Sequence, residues 1–142
     1  MRIERLGGPI LAPWRLMWAV ARRLGTIWNT TLYRLAGSKI GAGSQLKFGV
    51  RFGEPAKVKV GKNCVIWGGT ASSAEGSAAM LSIGDGVQIN SNVHLDNTGT
   101  LTIGDGALIS ENCVLYTHDH GLDPRSEPVT APKIVGTDVW IG

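Results

Sequence analysis

The sequence predicts a parallel β-solenoid of triangular cross-section preceded by one amphipathic α-helix, and three observations lead there. An aliphatic residue, a Gly, two small or polar residues and then a small or branched residue recur as Ile40-Gly-Ala-Gly-Ser, Val60-Gly-Lys-Asn-Cys, Ile83-Gly-Asp-Gly-Val, Ile103-Gly-Asp-Gly-Ala and Val135-Gly-Thr-Asp-Val. A six-residue beat runs inside the units, as in Ile83, Ile89, Leu95 and again in Ile103, Ile109, Leu115. Glycine accounts for 20 of 142 residues without the every-third-residue period of collagen, which calls for frequent tight turns.

The first element is the arm, residues 1–39. Trp14, Met17, Trp18, Ala21, Leu24, Trp28, Leu32 and Leu35 recur at three- and four-residue spacing, which predicts an amphipathic helix over 13–36. Pro13 suits its first turn and Gly37 its stop, while Gly25, Thr30 and Thr31 weaken its middle. The arm carries seven bases against one acid, so the net charge of +3 belongs to it alone; the rest of the chain has seven bases and ten acids. A nucleic-acid partner is therefore not expected, because the larger part has no basic surplus to set against phosphates. The uncharged runs between Arg5, Arg15, Arg22 and Arg34 fall far short of the roughly 18 apolar residues a membrane span needs. The same arginines interrupt any signal-peptide core. Two roles fit the helix: packing on the rest of the protein, or also lying on an anionic membrane face with Trp at the interface and Arg on the headgroups.

The second element, 40–142, consists of the coils. The repeats are spaced by 20, 23, 20 and 32 residues, which is three hexads plus an excess of 2, 5, 2 and 14. Each hexad supplies a short strand whose aliphatic residue points inward and a corner made by Gly or a small polar residue, with the next coil about 4.8 Å away. The excess must leave at corners, and the longest excursion, loop 119–133, is where a site is expected. No helical period survives after Gly37, and hexads replace the strict alternation of a sandwich. Cys64 and Cys113 occupy small-residue slots of the repeat and read as reduced, buried thiols, in keeping with a cytoplasmic setting at or near the inner membrane face.

The repeat resembles the hexapeptide-repeat acyltransferases. Leu101-Thr-Ile-Gly-Asp-Gly-Ala-Leu-Ile-Ser-Glu-Asn-Cys-Val-Leu, then Thr117-His-Asp-His-Gly-Leu-Asp-Pro, then Pro132 and Val139-Trp-Ile-Gly, is similar to the galactoside, maltose and polysaccharide O-acetyltransferase branch. That resemblance implies a left-handed β-helix, a homotrimer, acetyl-CoA as co-substrate with no metal, and a sugar or polysaccharide acceptor. It also implies sites between subunits and coenzyme contacts on coils beyond Gly142. The hexad begun at Ile141 is unfinished, which leads us to expect a chain truncated at its C-terminal end.

Acyl transfer from a thioester to a hydroxyl needs a base, since a hydroxyl is a poor nucleophile near neutral pH, and donors for the oxyanion that forms. In the resembling branch a loop His is the base. His120, in His120-Gly-Leu-Asp-Pro, matches that segment best, with His118 as the second candidate. Asp119 or Asp123 would hold the base through its other nitrogen. Asn92 falls where the branch carries an Asn that binds acceptor, and Trp140 where an aromatic lines the cleft; each also has a plain reading, as a solenoid corner and as a capping ring. His94 and Asp96 match nothing in the branch and read as surface or ladder residues. A zinc site of the carbonic anhydrase type on this fold fits the histidine spacing poorly. Other function classes stay open: a non-catalytic scaffold, or an amino-sugar N-acetyltransferase using the same base.

Overall fold

The structure, a computed structural model, describes residues 12–142. It opens with helix α1 (Ala12–Leu35). Coil one then holds β1 (Lys39–Ile40), β2 (Gln45–Leu46) and β3 (Arg51–Phe52), with a 3-10 turn at Pro55–Lys57. Coil two holds β4 (Val58–Val60), β5 (Val65–Ile66) and β6 (Ala71–Ser73); coil three holds β7 (Leu81–Ile83), β8 (Gln88–Ile89) and β9 (His94–Asp96). Coil four holds β10 (Leu101–Ile103), β11 (Leu108–Ile109) and β12 (Val114–Leu115). Its exit is a ribbon of β13 (His118–Asp119) and β14 (Val129–Thr130), after which β15 (Lys133–Val135) and β16 (Trp140–Ile141) continue the stack.

Like strands of successive coils pair in parallel and make three faces, β1-β4-β7-β10-β15, β2-β5-β8-β11-β16 and β3-β6-β9-β12. Among the described residues β13 and β14 alone pair antiparallel, as a ribbon across the loop expected over 119–133. The stack matches a left-handed β-helix preceded by a helix. Registry carries the hexad into three dimensions: Leu46, Ile66, Ile89 and Ile109 lie one above another and are fully buried, as do Val60, Ile83 and Ile103 on the next face. The third face stacks Phe52, Ser72, Leu95 and Leu115. Ser72 is the odd member of that row, a buried hydroxyl without a hydrogen-bond partner.

The corner glycines also stack. A methyl group at Gly61 would meet the carbonyl of Gly84, and one at Gly104 would lie 2.7 Å from the carbonyl carbon of Gly136. Coil-to-coil approach at that corner leaves no room for a side chain, which is why the repeat keeps Gly after its aliphatic residue. Asn92 and Asn112 take the left-handed conformation at the corner between the second and third faces, with φ of 58° and 62°, and Asn63 does so at the glycine corner, with φ of 55°.

The helix packs with its polar face inward. Thr26 and Thr30 are buried and Gly25, Asn29 and Tyr33 partly so, whereas Trp14, Met17, Trp18, Leu24 and Trp28 are exposed. Hydrogen bonds explain the choice. Among the described residues no strand precedes coil one to receive the backbone groups of its outer edge. Thr30 Oγ1 accepts from the Leu46 N–H at 3.0 Å, and the Asn29 amide donates to the Lys47 carbonyl at 3.1 Å. The Tyr33 hydroxyl accepts from the Phe52 N–H at 2.9 Å and donates to the Val50 carbonyl, while Arg34 reaches the carbonyls of Ile40 and Gly41. The helix is thus a polar cap for the first coil, and its apolar stripe is turned outward.

Candidate active site

Excess residues of every coil leave at one corner, between the third face and the first. The five-residue excess of coil two carries Glu75 there, and the long excess of coil four brings the β13–β14 ribbon over the same corner. Coil three lies between them and contributes Asp96 and Thr98.

Asp96 is the anchor of the site. It follows the inward Leu95, so alternation would turn it to solvent, yet it is 2% exposed because the ribbon folds across it. Its Oδ2 accepts from the Thr117 N–H at 2.7 Å, the Thr117 hydroxyl at 2.5 Å and His118 Nδ1–H at 2.9 Å. Its Oδ1 accepts from the Thr98 hydroxyl at 2.5 Å and the Thr98 N–H at 3.2 Å. Burial by itself would raise this carboxyl; the hydrogen bonds from Thr117, Thr98 and His118 outweigh it and hold the group well below the usual carboxylate range. Asp96 is therefore ionised and fixes His118 with its proton on Nδ1, so that Nε2 is the ring nitrogen turned outward, on the side of Glu75.

His120 is braced differently. Its Nδ1–H donates to the Ser126 carbonyl at 2.6 Å, and the Ser126 hydroxyl donates back to the carbonyls of His120 and Asp123. Its Nε2 lies 3.0 Å from Glu75 Oε2, and that of His118 lies 3.4 Å from the same oxygen. The Ser126 carbonyl first, and then Glu75, hold the His120 ring above its ordinary value, against an opposing effect of desolvation. The rings of Tyr116, His118 and His120 follow one another edge to face, at 5.8 and 5.3 Å.

The structure brings His118, His120 and Asp119 onto one ribbon, but Asp119 spends its carboxylate on the Gly121 N–H at 2.7 Å. Asp123 likewise closes a turn, accepting from the Arg125 N–H at 2.9 Å. Neither holds a histidine. Asn92 sits at the corner between the second and third faces in the left-handed conformation. Trp140 lies on the second face, exposed, with its Nε1–H donated to Ser110 at 2.9 Å. Among the described residues no hydrogen bond or ring contact joins either of them to His118 or His120. The reading of Asp96 as a surface or ladder residue is corrected by its burial and its five hydrogen bonds. Glu75 had a signal in the sequence, the extra residues of the unit that begins at Val60; Asp96 had none, since only the fold of the ribbon buries it.

Comparison with known proteins gives one curated match. The chain is 31% identical to "Putative lipopolysaccharide biosynthesis O-acetyl transferase WbbJ" of Escherichia coli (strain K12), over 41% of this chain and 36% of that protein, so it spans about a third of the relative it matches. No family model matches. No solved structure matches. Among the described residues, no helix is long and apolar enough to cross a membrane. The coiled repeat and the match to an O-acetyl transferase carry one resemblance: this chain is similar to the hexapeptide-repeat acyltransferases.

Proposed function

We propose that the chain is an acetyl-CoA-dependent O-acetyltransferase acting on a sugar or polysaccharide hydroxyl, with His118 as general base and Asp96 as its positioning residue. The observation that carries this reading is the Asp96–His118 pair, a buried ionised carboxylate on Nδ1 with Nε2 left for substrate. His118 Nε2 takes the proton of the acceptor hydroxyl as its oxygen attacks the thioester carbonyl. The tetrahedral oxyanion collapses, the C–S bond breaks, and the coenzyme A thiolate leaves and is protonated by the imidazolium. His120 favours a different role, since both its nitrogens face acceptors, Ser126 and Glu75, which makes it a poorer proton acceptor and a better electrostatic neighbour.

Two assembly features belong to the same reading. A homotrimer would bury part of the large apolar surface the solenoid exposes, to which Val114 and Tyr116 contribute beside the histidine ribbon. The outward stripe of α1, with Trp14, Trp18 and Trp28 beside Arg15, Arg22 and Arg23, has the composition of an interfacial helix, which suits work on an envelope polysaccharide at a membrane face.

The test is acceptor-dependent coenzyme A release by the whole protein and by His118→Gln and His120→Gln. We expect the first to lose about 100-fold or more and the second clearly less. Equal turnover of His118→Gln and wild type would remove His118 as base, and absence of any acetyl-CoA turnover or binding would favour a non-catalytic scaffold. Paired hydroxyl and amine acceptors separate O- from N-acetylation.

A further inference from the structure

Three potential ligand atoms converge at this corner. Glu75 Oε2, His118 Nε2 and His120 Nε2 all lie within 4.8 Å of one another. Each histidine has committed its Nδ1 proton elsewhere, His118 to the Asp96 carboxylate at 2.9 Å and His120 to the Ser126 carbonyl at 2.6 Å. With that proton committed, Nε2 is the atom each ring turns toward Glu75, and an Nε2 that gives up its own proton presents a lone pair there. Two ring nitrogens and a carboxylate oxygen facing one point can hold a cation in place of the protons that otherwise bridge them.

We propose that Glu75, His118 and His120 form a binding site for a divalent transition-metal ion, with Zn²⁺ as the preferred occupant and a fourth position open to solvent or substrate. The spacing suits it: a tetrahedral centre with bonds of about 2.0–2.1 Å sets its ligands about 3.3 Å apart. The two His–Glu separations are 3.4 and 3.0 Å. Two nitrogens and one oxygen favour zinc over calcium or magnesium, which prefer oxygen alone. The surroundings fit as well. Metal-bound histidines nearly always pass their other N–H to a carboxylate or a backbone carbonyl, and here one does each. The third ligand is tied to the same frame, because Thr98 Oγ1 accepts from the Glu75 N–H at 2.9 Å while donating to Asp96.

The site shares His118 with the acyl-transfer chemistry. On that reading, and only on it, a bound ion takes the lone pair the base needs, so zinc is an inhibitor that turns the enzyme off by occupying its proton acceptor.

The experiment titrates Zn²⁺ alone into the whole, chelator-stripped protein against a chromophoric competitor, with Co²⁺ as a spectroscopic stand-in. We expect one ion per chain, a cobalt spectrum typical of four-coordinate nitrogen and oxygen ligation, and affinity reduced at least about 10-fold in both Glu75→Gln and His120→Gln. Both side chains lie outside the core, and circular dichroism checks that the variants fold. No binding at about 100 μM zinc overturns the site. Wild-type affinity in both variants also overturns it, placing any ion elsewhere, for instance on Cys64 or Cys113. Coenzyme A release is measured separately. Zinc that binds as described without slowing turnover leaves the metal site and removes His118 as base; turnover that depends on His118 in a protein that binds no zinc does the reverse.

Discussion

Replacing Asp96 by Asn tests the anchor of the site, because it keeps the shape and removes the charge. The carboxylate accepts three hydrogen bonds on Oδ2, from Thr117 N–H, the Thr117 hydroxyl and His118, and two on Oδ1, from Thr98. An amide keeps one acceptor oxygen. The cheaper orientation turns that oxygen to Thr117 and His118 and its NH₂ to Thr98, whose hydroxyl can rotate to accept but whose N–H is left without a partner. A hydrogen bond to a charged acceptor contributes about 1.5–3 kcal/mol and one to a neutral acceptor about 0.5–1.5, so the three survivors together lose about 3 kcal/mol. The stranded N–H adds about 1 kcal/mol or more, and relief of the carboxylate's desolvation offsets part of the sum. We expect Asp96→Asn to be about 2–3 kcal/mol less stable at neutral pH by urea unfolding. The pH dependence has a definite sign. Asp96 titrates lower in the folded chain than unfolded, so its contribution is complete above about pH 4 and fades as pH falls further toward the folded value. The gap between wild type and variant therefore narrows on acidification. Nitrogen chemical shifts report the second consequence, since His118 loses the group that fixes its proton on Nδ1. Coenzyme A release should fall about 100-fold or more in conditions where the variant is folded. A variant within about 0.5 kcal/mol of wild type, with the same His118 tautomer and turnover within about threefold, would refute the reasoning.

Other changes probe the frame around the site. Thr30→Val leaves the buried Leu46 N–H without its acceptor and should cost about 1–3 kcal/mol in urea unfolding, whereas Trp18→Ala on the outer stripe should shift it by less than about 0.5. Gly104→Ala pushes a methyl into the backbone of Gly136 and Thr137 and should lower stability by about 1–3 kcal/mol, read from the same transition. Ser72→Ala removes an unpartnered buried hydroxyl and should raise the thermal midpoint, by about 1 kcal/mol of stability; a loss of stability would show that the hydroxyl has a partner after all. Vesicles rich in anionic lipid should blue-shift the tryptophan emission of the whole protein, and Trp14→Ala with Trp18→Ala should reduce the shift, while neutral vesicles leave it unchanged.

The solenoid was legible because its cause is local: an aliphatic residue every sixth position, with Gly where coils touch, can be read residue by residue. So was the presence of a helix over 13–36, but not its orientation. Periodicity ranks the faces of a helix by hydropathy, and what faces inward here is decided by unpaired backbone groups on coil one, which Thr30, Asn29 and Tyr33 satisfy. The histidines were found by their loop. Their partners were not, for a related reason. Asp119 and Asp123 are near in sequence and turn out to serve their own turns, whereas Asp96 and Glu75 come from the third and second coils and meet the histidines only because all the excess residues exit at one corner. Alternation placed Asp96 outside, and a tertiary excursion 21 residues later buried it.

The cap on the first coil bears on how the chain comes into being. A strand laid on an unsatisfied edge gains little, and in a stack where each coil touches only its neighbours the first coil is the hardest to form. Helix α1 precedes that coil in the sequence, and a helix can form within itself before any coil exists. During synthesis it emerges before the segment it templates, so the outer edge of the stack is capped while each new coil pairs with the free edge on the other side. The direction of translation and the direction of growth of the solenoid then coincide. A chain with the cap weakened should show its defect in yield and refolding rate before it shows one in the finished candidate site.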